Sequence, residues 1–185
     1  PDHSAKTLMT EERFWGVQDW RYFYNPGLGR KEKLEIQKFP WDESVLNSPC
    51  PFTPGKLVKD THFAFLGLEK IYNTRLEILN WRNVKYCLGA HASRLRINTS
   101  SELEETGFVM GETCRLRWYL MFIEVPFFVG CNYQEHLDRS TNLYEAPTAI
   151  EYLIFRTLYF IKNPTVYRTN ECMYAWCKDV IKGKR

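Results

Sequence analysis

The chain has 185 residues, 44% of them hydrophobic and 25% charged, a balance that excludes disorder as the default state. Its formal net charge of +3 is small for a dedicated nucleic-acid binder, whose basic side chains are usually more numerous and clustered. Phe, Trp and Tyr make up 16% of the chain and occur in every region, which suits a packed and partnered protein but names no reaction.

Residues 1–9 read as a loose arm and residues 10–185 as one α+β domain. No secretory signal is read in residues 1–20, because Glu11, Glu12, Arg13 and Asp19 interrupt any apolar run. Thr10 followed by Glu11 and Glu12 predicts a helix start, a hydroxyl cap with acids in the first turn, and the helix runs to about Tyr22. It carries Phe14, Trp15, Val17, Trp20, Tyr22 and Phe23, more than one helical stripe holds, so a second face needs cover from the core or a partner. Asn25-Pro26-Gly27 and Gly29 end it in a turn. The run Gly27-x-Gly29-Arg30-Lys31 lacks the spacing and preceding strand of a phosphate loop, and leaves Arg30, Lys31 and Lys33 free to touch an acidic partner.

Phe39 to Gly55 holds Pro40, Pro49, Pro51 and Pro54 and reads as an ordered wrapping loop pinned by Phe39, Trp41 and Phe52. His62-Phe63-Ala64-Phe65-Leu66 predicts a buried strand. After Asn73-Thr74 a short element carries Leu76, Ile78, Leu79 and Trp81, with a period that fits strand and helix alike. Ser93 to Ile97 alternates as a strand, and Ser100 to Gly107 is acidic and exposed. Thr113 to Val125 alternates best: Cys114, Leu116, Trp118, Leu120 and Phe122 share one face, and Arg115, Arg117, Tyr119, Met121 and Ile123 the other. The second face runs from charged to apolar, so one end should reach water. Residues 131–145 read as polar loop. Thr148 and Glu151 have capping-box spacing and open an apolar helix that Asn163-Pro164 stops. Residues 165–169 predict a strand and 172–181 a terminal helix. The fold expected is α+β: an antiparallel sheet packed on that central apolar helix, with the aromatic N-terminal helix and the Pro-rich loop wrapped around it.

The most apolar runs, 118–129 and 149–161, fall short of the ~20 residues of a spanning helix, so no membrane span is expected. Six cysteines, at 50, 87, 114, 131, 172 and 177, include no CxxC pair. That argues for free thiols in a reducing intracellular compartment, cytoplasm or organelle matrix, with a disulfide framework as the alternative. Cys172 and Cys177 read as packed thiols rather than a metal or redox pair. No cofactor or metal site is expected.

Three constellations carry possible chemistry. Arg94-Leu95-Arg96 and Arg115-Leu116-Arg117, if their strands pair, set four guanidinium groups beside Tyr119, a face for nucleic acid or another polyanion. The bland reading pairs these arginines with Glu102, Glu104, Glu105 or Glu112 on a solvated face. Glu135-His136-x-Asp138 offers one histidine between carboxylates, short of a metal's three or four ligands. His62 with Cys87 or Cys50 offers a base and a thiol, without a nucleophile elbow. The leading expectation is a non-catalytic interaction or assembly protein, a subunit of a complex or a homo-oligomer, anchored through Trp15, Trp20, Trp41 and Phe52. A polyanion-binding module is the first alternative. An enzyme whose site converges from His62, His91, His136 and Cys87 is the second.

Overall fold

The computed structural model describes residues 8–72, 76–88, 111–124 and 144–165. It is mixed α and β, with sheets of three and two strands. The predicted strand at 93–97, the helix at 172–181, the acidic stretch 100–107, residues 166–169 of the strand predicted at 165–169 and residues 131–143 of the loop predicted at 131–145 lie outside the described residues.

The N-terminal segment corrects the expected helix. It is a 3-10 turn, Glu11–Arg13, then a strand β1, Phe14–Trp15, then a helix α1, Val17–Phe23. Phe14 and Trp15 are fully buried and pair in parallel with Ala64 and Phe65. A continuous helix would forfeit that pairing. Gly16 restarts the chain as a helix cap, its N–H donating to the Asp19 carboxylate at 2.8 Å. Tyr24 closes α1. The glycine-rich turn after it also opens a helix the sequence did not announce, α2, Arg30–Glu35, whose Glu32 accepts the Gly29 N–H at 2.6 Å.

Inside the proline-rich stretch, Asp42 caps a single helical turn, α3, Glu43–Leu46. A second turn, α4, Val58–Thr61, leads into β2, His62–Leu66, whose five residues are all buried. Alternate strand residues face opposite ways, so both sides of β2 are covered. On one side Phe63 and Phe65 meet Phe155, with ring centroids 6.0 and 6.2 Å away.

β2 is the middle of the three-stranded sheet, between β1 and β5, Trp118–Phe122. β2 and β5 run antiparallel with Ala64 opposite Leu120, so the sheet is mixed and not antiparallel throughout. β5 is shorter than the alternation suggested. Before it, Arg117 O still accepts the Gly67 N–H at 2.8 Å, but the Arg117 N–H bonds to Arg115 O at 2.9 Å, a local turn that ends the ladder there. Gly67 makes room for this turn, because a Cβ there would lie 2.6 Å from Arg115 O. On the face that carries Arg115, Arg117 and Tyr119 the two arginines are exposed and Tyr119 is buried, so the charged end reaches water and the apolar end is covered, as the alternation suggests.

The smaller sheet is a hairpin of β3, Lys70–Tyr72, and β4, Leu76–Ile78. Asn80 then caps a helix α5, Trp81–Cys87, its side chain accepting the Asn83 N–H. The element after Asn73 is thus strand first and helix second. The last described helix, α6, Ala149–Lys162, has ten of its fourteen residues buried. Its start is a complete capping box: Glu151 N–H donates to Thr148 Oγ1 at 3.2 Å, and Thr148 N–H to Glu151 Oε2 at 2.9 Å. Its last turn holds the N-terminal segment through Lys162 Nζ and Asp19 Oδ1, 2.6 Å apart. No helix among the described residues is long and apolar enough to cross a membrane.

Candidate functional site

The aromatic load is mostly spent internally. Trp15 and Trp20 are fully buried, with rings 5.6 Å apart, and Trp20 Nε1 donates to Leu66 O at 2.8 Å. They are core residues and offer no ring to a partner, which corrects their reading as surface anchors. Trp41 and Phe52 are half-buried. Trp41 meets Phe39 edge-on at 5.3 Å, and Phe52 lies 5.0 Å from Phe122 and 4.8 Å from Tyr144.

Three of the large exposed hydrophobics among the described residues share one strand face. The hairpin register sets Tyr72 opposite Leu76 and Lys70 opposite Ile78, so these four side chains share one face. Tyr72 is 41% exposed, Leu76 46% and Ile78 52%. Ile71, on the opposite face, is fully buried. The hairpin therefore packs one side on the core and presents an apolar side outward.

That face runs into a concavity of about 430 Å³ lined by Arg21, Tyr22, Tyr24, Asn25, Pro26 and Tyr72 among others. Asn25 and Tyr72 exchange backbone hydrogen bonds of 2.6 and 3.3 Å, which joins the end of α1 to β3. Gly27, at φ +57°, lies against the Tyr72 ring so closely that a Cβ would overlap it. Only a residue free to adopt positive φ without a Cβ fits there. Tyr22 is 83% exposed. Lys70 Nζ lies 3.8 Å from Glu32 of α2, so that helix borders the apolar face. Tyr22, Tyr72, Leu76 and Ile78 were missed in the sequence, where an exposed apolar strand face looks like a core stripe.

The arginine face divides differently. Arg94 and Arg96 lie outside the described residues, as do Glu102, Glu104 and Glu105. Arg115 and Arg117 are exposed and precede β5. Arg117 Nη2 sits 3.5 Å from Glu151, a partner from α6 that sequence proximity did not suggest. Its guanidinium also covers the Tyr119 ring at 4.7 Å. Tyr119 is buried, stacks on Phe65 at 4.9 Å and donates its hydroxyl to Glu151 at 2.9 Å. Its ring is therefore committed and offers no platform to a base, which corrects that part of the polyanion reading. Beneath it, burial pushes the Cys114 thiol up to about 12, so it stays protonated at neutral pH.

His62 is fully buried. Its Nδ1 bonds to Val58 O at 3.1 Å, while Nε2 has no partner among the described residues and the ring lies 5.4 Å from Phe122 and 5.7 Å from Tyr144. Burial, aided by the nearby Arg13 charge, holds its pKa down at about 4. His91, His136 and Asp138 lie outside the described residues, as do Cys131, Cys172 and Cys177. Cys50, Cys87 and Cys114 carry free thiols. Among the described residues no three His, Cys, Asp or Glu side chains converge to hold a metal.

No known protein family, curated protein or solved structure matches this chain.

Proposed function

We propose that the chain is a non-catalytic interaction or assembly protein, a subunit that docks a protein partner on the outer face of the β3–β4 hairpin. The observation that carries this reading is the exposure of Tyr72, Leu76 and Ile78 together on one strand face whose reverse side is already packed. A partner that covered the exposed halves of Leu76 and Ile78 would gain about 1 kcal/mol from each. Edge-on strand addition suits the hairpin less well, because the Ile78 carbonyl already accepts from Asn83 Nδ2 at 2.9 Å and from the Asn80 N–H. Docking is thus face-on, through side chains.

The test is site-specific photo-cross-linking from position 78 of the full chain in its native extract. A discrete adduct is expected, lost on Leu76→Glu but retained when the probe chain carries Val45→Glu, a control on α3. Adducts that are diffuse, or indifferent to Leu76→Glu, would defeat the reading.

A further inference from the structure

The hairpin face is flanked by an uneven charge. Residues 21–38 hold five basic side chains, Arg21, Arg30, Lys31, Lys33 and Lys38, against two acidic ones, Glu32 and Glu35. Both acids are engaged: Glu35 lies 4.0 Å from Lys31, and Glu32 lies 3.8 Å from Lys70. Arg21, Arg30, Lys33 and Lys38 form no ion pair among the described residues. This stretch carries a net +3. Among the described residues Arg21 is the one charged side chain lining the concavity beside Tyr72. The Tyr22 and Tyr72 hydroxyls have no hydrogen-bond partner among the described residues. Asn25 commits its side-chain oxygen to the Gly27 N–H at 3.1 Å, which leaves its amide N–H groups to donate. A guanidinium, two phenols and an amide around one hollow form a donor set for an anion.

We infer that the partner segment is an acidic, apolar peptide stretch: its apolar side chains cover Leu76 and Ile78, and a flanking carboxylate enters the hollow beside Arg21. This rests on the docking reading above and adds the chemistry of the occupant. Charge complementarity of this kind sets partner choice and association rate. The exposed aliphatic side chains favour protein over nucleic acid, since bases stack on aromatic rings and gain little from Leu or Ile.

The test uses the full chain and fluorescence anisotropy with labelled peptides of about twelve residues, identical in Leu and Val content, one flanked by Glu and one by Lys. A labelled oligo-dT of similar length is the third probe. The Glu-flanked peptide is expected to bind about tenfold tighter than the Lys-flanked one at low salt, and the gap should narrow as salt rises. Arg21→Gln should shrink the preference and Arg21→Glu should reverse it, while Leu76→Glu abolishes binding of both peptides. Equal binding of both peptides, unaltered at Arg21→Glu but lost at Leu76→Glu, would overturn the acidic partner and leave the docking face standing. Binding indifferent to Leu76→Glu, or absent for both peptides, would overturn both. Tighter binding of oligo-dT than of either peptide would overturn the inference in favour of nucleic acid.

Discussion

His62 is held neutral chiefly because its ring is fully buried among aromatic side chains, with Nδ1 bonded to Val58 O and Nε2 without a partner among the described residues. Its folded pKa of about 4 lies below the ordinary 6.5. The unfolded chain therefore takes up a proton that the folded chain refuses. Stability from this residue is full above about pH 6.5 and falls as the pH drops to about 4, a loss on the order of 3 kcal/mol. Urea melts across that range should show the loss, and His62→Gln should flatten it. An unchanged slope in His62→Gln would assign the acid sensitivity to other groups. Gly27 makes a second prediction at this scale. Ala there costs about 1 kcal/mol for positive φ and must also displace the Tyr72 ring. Lower stability should appear together with weaker binding of the Glu-flanked peptide.

Elements whose signals are local were legible in the sequence. The capping box of α6 lies within four residues, and so does the Asn163-Pro164 stop, so its span Ala149–Lys162 follows from the chain. Thr148→Ala should cost about 1 kcal/mol in a thermal or urea melt, because the Glu151 N–H loses its acceptor. The run of β2 was equally readable, since continuous apolar character reports cover on both faces. β1 was not. Phe14 and Trp15 become a strand by pairing with residues about fifty positions away, and nothing within the segment Thr10–Phe23 encodes that. The start of β5 was overread for the same reason: the turn at Arg115–Arg117 is fixed by Gly67 and Glu151, both remote. The candidate site shared this limit. Leu76 and Ile78 look like core residues until the register shows Ile71 taking the inner face.

Across the whole molecule, aromatic abundance proved a poor guide to where a partner would sit. Large rings are the cheapest way to fill a core, and Trp15, Trp20, Phe63, Phe65 and Phe155 do that here. The large hydrophobics left exposed among the described residues are Tyr22, Leu34, Val45, Tyr72, Leu76, Ile78 and Tyr86, and of these Tyr72, Leu76 and Ile78 share one strand face beside the basic stretch 21–38. Net charge concealed this as well, because residues 1–80 hold eleven basic and eleven acidic side chains and look balanced. Tyrosine footprinting by hydroxyl radicals, comparing the isolated chain with its native assembly, tests the docking surface most directly. Tyr22 and Tyr72 should react in the isolated chain and be protected in the assembly, with buried Tyr119 unreactive in both. Equal reactivity of Tyr22 and Tyr72 in the two states would contradict it.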